Sequence, residues 1–157
     1  NILFVCTKNN IGNMVREVAI ETGMPFVTYR WPGGMLTNFE TLKKQIKKLN
    51  DYEKLVESEE WEKTIKKEKA VINREIEKLT KNFEGVKKLT KVPDAIFIVD
   101  TIKEKTAIAE ARVMKMPIIA LVDTNSNPEN IDYPIPVNDD AIKAIELILG
   151  EVKKALK

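Results

Sequence analysis

Apolar residues are concentrated in short runs that alternate with stretches of helical spacing. The runs are rich in β-branched side chains and apolar at almost every position, which is typical of strands covered on both faces. Because strand and helix patterns alternate, the chain is expected to form a parallel sheet flanked by helices, an α/β fold. The strand patterns are ILFVCT (2–7), FVTY (26–29), AIFIVD (95–100), IIALVD (118–123) and the shorter YPIP (133–136).

Three helices are predicted around these strands, each from apolar residues three or four positions apart. The first ends at Gly23, a common residue at helix C-termini. The last begins after Asn138 or Asp139, either of which can cap it. The expected core positions are Met14, Val15, Val18 and Ala19 in the first helix, Ala107, Ile108, Ala111 and Met114 in the second, and Ala141, Ile142, Ile145, Ile148 and Leu149 in the third.

Residues 39–91 follow another pattern, with two long helical runs separated by the acidic stretch ESEEWEK (57–63). This predicts an antiparallel helical hairpin with a narrow coiled-coil-like seam, inserted into an α/β domain formed by residues 1–38 and 92–157. Arms of about 18 residues would project roughly 27 Å. The hairpin is either a solvated charged element or a lever arm that contacts another macromolecule. Its seam positions are Phe39, Leu42, Ile46, Leu49 and Val56, then Ile72, Ile76, Leu79, Phe83 and Val86.

The net charge of +2 conceals a basic segment. Residues 39–91 hold 15 Lys/Arg and 11 Asp/Glu, a net charge of +4, which leaves 11 against 13, or −2, for the rest. A polyanion such as RNA is therefore expected to be attracted to the hairpin. Such rows of lysine also occur simply as solvated helix faces. The row on one side of the first arm consists of Lys43, Lys44, Lys47 and Lys48.

Several classes of site are absent from the sequence. With no histidine, neither Ser-His nor Cys-His catalysis is possible, and a transition-metal site is not expected. The single Cys6 excludes an internal disulfide. No apolar run approaches the roughly 20 residues of a membrane span. No glycine-rich nucleotide loop is present: TKNNIG (7–12) follows the first strand, but it contains one glycine.

The stretch RWPGG (30–34) lies between the second strand and the hairpin. Pro32 and the two glycines form a turn, and Thr37 or Asn38 can cap the helix that starts at Phe39. Turning the chain does not account for Arg30 and Trp31. This pair suits RNA, with the guanidinium on a phosphate or guanine and the indole on a base, although Trp31 can equally fill the core beneath the hairpin.

Asp100 and Asp123 each follow an apolar strand. Carboxylates at the carboxyl ends of adjacent parallel strands could hold Mg²⁺, so a Mg²⁺-dependent nucleotide-binding or phosphotransfer domain is the alternative function. In the other interpretation, both side chains only accept hydrogen bonds from loop amides. A third possibility is a free-standing interaction module that uses the hairpin as a coiled-coil partner.

Three long motifs, in this order, resemble the ribosomal protein S two family of the small subunit, in its bacterial or organellar form. They are RWPGGMLTNFETL (30–42), PDAIFIVDT (93–101) and PIIALVDTNSNPENIDYPIPVNDDAIKAIELI (117–148). The resemblance implies a flavodoxin-like sheet with an inserted coiled-coil hairpin, and neither enzymatic activity nor a cofactor. It implies that Asp100 and Asp123 are structural residues at strand ends. Two departures are a missing N-terminal family segment and Pro32, where leucine is more usual.

The resemblance also implies partners and a location. They are small-subunit ribosomal RNA and neighbouring small-subunit proteins, including ribosomal protein S one, in a cytoplasmic or organellar ribosome, with no membrane contact. Lysine and arginine would neutralise RNA phosphates and position the protein by shape rather than by base sequence. The candidate RNA-binding residues are Lys8, Arg30, Trp31, Asn38, Lys43, Lys44, Lys47 and Lys48.

Overall fold

The protein is described by a computed structural model that covers residues 1–156. In this part of the chain, five parallel strands form one sheet in the order β2-β1-β3-β4-β5, which confirms the α/β prediction and fits a flavodoxin-like fold. Both long central strands, β3 and β4, lie where continuous apolar runs predicted them. The strands are β1 (Ile2–Val5), β2 (Phe26–Val27), β3 (Ala95–Ile98), β4 (Ile118–Val122) and β5 (Tyr133–Pro136).

The described residues form six α-helices that surround or extend from the sheet, with short 3₁₀ turns at Glu84–Val86 and Pro128–Asn130. Within residues 1–156, no helix is both long enough and apolar enough to cross a membrane. The helices are α1 (Asn9–Thr22), α2 (Phe39–Val56), α3 (Glu59–Lys63), α4 (Lys66–Phe83), α5 (Lys105–Val113) and α6 (Ile142–Leu156).

The apolar core lies on both faces of the sheet because successive side chains of a strand point in opposite directions. On β1, Phe4 belongs to the cluster beneath α1 and α6, where its ring centroid lies 5.1 Å from that of Phe97. Its neighbours Leu3 and Val5 belong to the opposite cluster, which includes α5 and the base of the hairpin. Two covered faces explain why these strands are apolar at every position.

The hairpin consists of α2 and α4, which contact each other, with the short α3 between them where a polar turn was expected. Each arm has 18 residues, as predicted. Leu42, Ile46 and Leu49 of α2 are buried, and so are Leu79 and Phe83 of α4. All five belong to the same cluster as the sheet residues above, so the side of the hairpin that carries them is part of the main core.

Polar contacts also link these elements: Lys48 Nζ on α2 lies 3.2 Å from the Glu75 carboxylate on α4, and Glu53 on α2 pairs with Lys87, which follows the 3₁₀ turn after α4. Coiled-coil packing of the seam stays a prediction. The division into an α/β domain (1–38 and 92–157) and an inserted hairpin (39–91) also stays a prediction.

The last helix begins at Ile142, later than the sequence predicted. Asn138 does not reach into the helix, because its Oδ1 accepts a hydrogen bond from the N–H of Asp140 within the preceding turn. Asp139 is paired with Lys8 of the first loop. Ile142 is consequently 46% exposed, although the spacing placed it on the buried face.

Gly85, in the return from α4 to β3, packs against the backbone of β2. A Cβ atom at this position would lie 2.2 Å from the carbonyl oxygen of Phe26, whereas one at Gly150, in the middle of α6, would meet nothing within 4 Å. We expect Gly85→Ala to lower the free energy of unfolding by about 1–3 kcal/mol or more through overpacking. Gly150→Ala should raise it by about 0.5–1 kcal/mol through helix propensity. Urea unfolding monitored by circular dichroism measures both, and equal effects would contradict the assigned close approach.

Candidate nucleic-acid interface

The corner between β2 and α2, residues 30–38, carries the strongest sequence motif of the chain. Met35 donates its backbone N–H to the carbonyl of Pro32, and Gly34 has a φ of 82°, a conformation that favours glycine. Asn38 is the N-cap residue of α2, and it was one of the two residues predicted for this position. Its Oδ1 accepts a hydrogen bond from the Thr41 hydroxyl at 2.8 Å rather than from a backbone amide.

The carboxylate of Glu110, on α5, fills the inside of this corner. Its Oε1 accepts hydrogen bonds from the indole N–H of Trp31 at 2.9 Å and from the backbone N–H of Gly34 at 2.7 Å. Its Oε2 accepts from the N–H groups of Leu36 at 2.9 Å and Thr37 at 3.3 Å. The glycine turn is thus an anion-binding nest, and its anion is a side chain of the protein itself.

This arrangement separates the two residues that turning the chain did not explain. Trp31 is 9% exposed and its one polar atom is bonded to Glu110, which favours the interpretation that it fills the core beneath the hairpin. Arg30 is exposed and, within residues 1–156, forms no ion pair. Arg30 therefore remains the residue of this pair whose side chain is open to a phosphate.

The hydrogen bonds to Glu110 also lower the pKa of its carboxyl group. Burial by itself raises the pKa of the carboxyl, but the donors on Trp31, Leu36, Gly34 and Thr37 outweigh it and hold the pKa below the ordinary value of 4.5. Glu110 is therefore ionised at neutral pH, and its charge is balanced by N–H dipoles rather than by a cation.

The lysine row on α2 is exposed along its whole length, but its members are engaged differently. Lys43 pairs with Glu40 at 3.0 Å and lies over the Phe39 ring, and Lys48 pairs with Glu75. Within the described residues, Lys44 and Lys47 form no ion pair. They are separated by three positions and so lie on one side of the helix. These two ammonium groups are the ones most available to an anion.

Lys8 differs from the other candidates because its ammonium group is engaged inside the protein. It bonds the backbone carbonyl of Asp139 at 3.1 Å, pairs with Asp140, and lies 3.9 Å from the carboxylate of Asp100. Burial lowers the pKa of Lys8, but the three aspartates more than compensate and raise it above its ordinary value. Its side chain is 20% exposed, so little of it is open to RNA.

The carboxyl ends of the strands were the predicted Mg²⁺ site of the alternative function. Asp100 Oδ1 accepts from the N–H of Lys103 at 2.9 Å, and Asp123 Oδ1 from that of Thr124 at 2.6 Å. Both side chains thus accept hydrogen bonds from loop amides, and the nearby cation is the ammonium of Lys8. No group of three or more Asp, Glu, Cys or His side chains in residues 1–156 is arranged to hold a metal ion.

Glu104, the N-cap residue of α5, lies beside the loop that follows β1. In open α/β sheets, loops at the carboxyl ends of strands are where ligands bind. Glu104 is 2% exposed, and its Oε1 accepts hydrogen bonds from both the N–H and the hydroxyl of Thr7, at 2.7 and 2.6 Å. Lys103 bonds the carbonyl of Thr7 at 2.8 Å. The backbone that would cradle a phosphate is therefore bonded to the protein's own carboxylate.

Neither Glu104 nor Glu110 is among the residues predicted from the sequence, although both organise the structure. A signal for Glu110 was present, because it stands three positions after Ala107 and directly before Ala111, both predicted to be buried. A carboxylate at a core position needs hydrogen-bond donors. No local signal indicated which donors these are, since they lie 73–79 residues earlier in the chain.

Removing the charge of Glu110 should destabilise the corner. In Glu110→Gln an amide NH₂ replaces one oxygen and faces backbone N–H donors, so we expect the free energy of unfolding to fall by about 2–4 kcal/mol. The control is Glu146→Gln on the exposed face of α6, which should change it by less than about 0.5 kcal/mol. Chemical unfolding measures both; equal stabilities of the two variants would contradict the central place given to Glu110.

The contribution of Glu110 should also depend on pH. Its folded-state pKa lies below the ordinary 4.5, so its stabilisation is fully present above about pH 4.5 and is lost as the pH falls through the folded-state value. The difference in unfolding free energy between the wild type and Glu110→Gln should therefore shrink below pH 4.5. Urea unfolding at intervals from pH 7 to 3 measures this; a constant difference would show that the charge has no part in it.

Comparison with known proteins places the whole chain in one family. A family model described as "Ribosomal protein S2" matches residues 1–157. Among curated relatives named "Small ribosomal subunit protein uS2", that of Petrotoga mobilis is 49% identical over 155 residues, and that of Parabacteroides distasonis 46% over 155 residues. The relative from Helicobacter acinonychis, with the same name, is 46% identical over 156 residues.

Each alignment covers 99% of this chain but a smaller share of the relative. The chain spans 54% of the length of the Petrotoga protein, 56% of the Parabacteroides protein and 63% of the Helicobacter protein.

Proposed function

The chain belongs to the ribosomal protein S2 family, and from this membership we propose that it is a structural constituent of the small subunit of a bacterial ribosome. The role is not enzymatic: it consists of binding and positioning other components. The family match over residues 1–157 and the three bacterial relatives support it. The ends of the strands agree with it, because Lys8 lies close to Asp100 and Glu104 accepts the N–H of Thr7, so that groups which could bind a nucleotide there are bonded within the chain.

We propose that the chain binds small-subunit ribosomal RNA through the hairpin and the adjoining corner. The observation that carries this is the pair Lys44 and Lys47, exposed, on one side of α2 and without an intramolecular partner among the described residues. Cations that are not paired within the protein can replace the counterions of RNA phosphates without breaking an existing contact. Arg30 adds an exposed guanidinium at the corner, suited to a bidentate phosphate contact.

The remaining candidates contribute less to this interface. Lys43 and Lys48 would first have to exchange exposed carboxylate partners, which costs little in water. Asn38 is exposed beside them and carries amide hydrogens for a phosphate or ribose. Lys8 and Trp31 would act indirectly, since the first holds the loop before α6 and the second holds the corner on which Arg30 is mounted.

Docking of ribosomal protein S one, and contacts with other small-subunit proteins, belong to the same proposal and are supported by the family membership. The tip of the hairpin offers one surface for a protein partner. Ile65 is 64% exposed and Val71 is 55% exposed, an apolar feature beside the half-buried Trp61 in an otherwise charged arm.

The electrostatic mechanism predicts a steep dependence of RNA binding on salt. Each lost phosphate contact should reduce the slope of log K against log salt by about 0.7–0.9. For the double variant Lys44→Gln/Lys47→Gln we therefore expect a slope smaller by about 1.5 and weaker binding at low salt. Replacing Lys43, Lys44, Lys47 and Lys48 by Glu should weaken binding further. Fluorescence anisotropy with small-subunit ribosomal RNA at several salt concentrations measures the slopes.

The matched control is Lys115→Gln/Lys143→Gln, which removes two exposed lysines of the body that form no ion pair within residues 1–156. It should leave the slope nearly unchanged, because these lysines lie away from the hairpin. Equal effects of the two double variants would point to non-specific attraction and overturn the interface. Co-sedimentation with small ribosomal subunits tests the wider role: a chain that is not retained contradicts it.

A further inference from the structure

A small concave site lies where the corner of residues 30–38 meets the hairpin. It is a cavity of about 130 Å³ that opens to solvent, with walls formed by the corner, by α2 and by the end of α4. Sites that enclose whole small molecules have volumes of about 300–1,000 Å³. The cavity is therefore too small for a complete nucleotide or peptide, but it can accept one ring system whose remaining parts stay outside.

The walls of the cavity are mainly apolar and uncharged. Pro32 of the corner, Leu42 of α2 and Phe83 of α4 line it, and of these Leu42 is 4% and Phe83 8% exposed. None of the side chains that line the cavity carries a charge. Because a charged ligand group would give up hydration here without a counterion, the part of a ligand that enters must be neutral and largely apolar.

Gln45 adds an unpaired amide to these walls. Its side chain is half-buried and, within residues 1–156, forms no hydrogen bond. The other amide in the cavity, that of Asn38, differs because its Oδ1 accepts a hydrogen bond from the Thr41 hydroxyl at 2.8 Å. A half-buried amide gains by bonding a ligand, since burial has removed some of its water. Its NH₂ donates and its oxygen accepts in one plane, so the matching ligand presents an acceptor beside a donor.

Two exposed cations flank the cavity. Arg30 stands two positions before Pro32, and Lys44 directly before Gln45; both cations form no ion pair within residues 1–156. Lys44 also lies three positions after Thr41, another wall residue, so the two are neighbours on the surface of α2. A ligand that combines a neutral ring with nearby negative charges matches this arrangement, and an unpaired nucleotide of RNA has both. An apolar side chain of a partner protein would fill the cavity but would supply no charge to either cation.

We propose that the cavity holds the base of one unpaired adenosine of the bound RNA. The inference rests on the RNA interface proposed above and adds a base contact to it. The ring lies against Leu42 and Phe83, and the Gln45 amide donates to N7 and accepts from the N6 amino group. The flanking phosphates meet Arg30 and Lys44. Paired donor and acceptor contacts of this kind are the usual way in which Gln and Asn recognise adenine.

Adenine fits the cavity better than the other bases because it carries no carbonyl oxygen. With two contacts to Gln45, each of the other bases leaves a carbonyl or amino group without a partner against an apolar wall, which costs free energy. Adenine leaves only ring nitrogen atoms, so it is the least polar of the four bases to bury. Phosphate contacts position a protein on RNA, whereas this contact would give the corner a preference for one base.

Fluorescence anisotropy of the chain with two short RNAs tests the proposal. One is an oligouridylate of nine nucleotides, and the other is the same oligomer with adenine at its central position. We expect the second to bind about tenfold more tightly, within the range of one bidentate base contact. Both should show the same dependence on salt, because they carry the same number of phosphates.

The variant Gln45→Met tests the assigned amide. Methionine has a similar length and helix propensity but no amide to donate or accept, so the preference for the adenine oligomer should disappear. Binding of the oligouridylate should be unchanged. The matched control is Asn73→Leu, which removes an exposed amide of α4 and should keep the preference. The double variant Lys44→Gln/Lys47→Gln should weaken both RNAs and also keep it, since it removes phosphate contacts only.

The outcomes separate this site from the interface on which it rests. Equal, salt-dependent binding of the two oligomers would overturn the adenine site and leave the RNA interface standing, whereas binding of neither would contradict both. A preference that persists in Gln45→Met would place the base contact elsewhere, and equal affinity for an oligomer with central guanine or cytosine would remove the selection of adenine. Equal binding of the oligomers, together with loss of Gln45→Met from small ribosomal subunits, would identify a protein side chain as the occupant.

Discussion

The carboxylate of Glu110 is the constraint on which the arrangement of this molecule depends. It gathers the indole of Trp31 and the backbone of the glycine corner onto α5, and α5 is in turn packed on the sheet. The direction in which α2 leaves the body is therefore determined by a buried charge rather than by apolar contacts alone. Apolar packing tolerates small rotations, whereas hydrogen bonds to one carboxylate have distances and angles that do not.

Charged side chains of the protein also bond to the polar groups at the carboxyl ends of the strands. Lys8 lies close to Asp100, which follows β3, and pairs with Asp139 before α6, while Glu104 accepts the N–H of Thr7. Burial and the proximity of Asp100 raise the pKa of Asp139, an effect that Lys8 only partly offsets, so this end of the sheet is electrostatically strained without its lysine. A fold that commonly binds nucleotides between its strand ends here satisfies those groups within the chain. Asp100, one of the two carboxylates that suggested a metal site in the sequence, lies close to the ammonium group of Lys8.

Local patterns in the sequence predict the elements of this fold well. Continuous apolar runs identified the central strands because both sheet faces are covered, and three-to-four spacing identified both hairpin arms because each buries one side. The errors lie where a distant residue takes over a local role: α6 starts at Ile142 because Asp139 is held by Lys8, 131 residues away. Trp31 could not be assigned from its neighbours, since its partner Glu110 is 79 residues farther along the chain. Exposure of individual lysines was predictable from helical spacing, but whether each has a carboxylate partner was not.

The distance in sequence between the corner and Glu110 has a consequence for how the chain is made. The N–H donors of residues 31–37 are synthesised before their acceptor, Glu110. At about 5–20 residues per second, Glu110 is added roughly 4–15 s later. During that interval α2 and α4 can form and pair, because their contacts are local in the chain, while the angle of the hairpin to the body is still undetermined. The nascent chain thus forms the α2–α4 pair first, and the orientation of this pair on the body is fixed last, when α5 becomes available to dock.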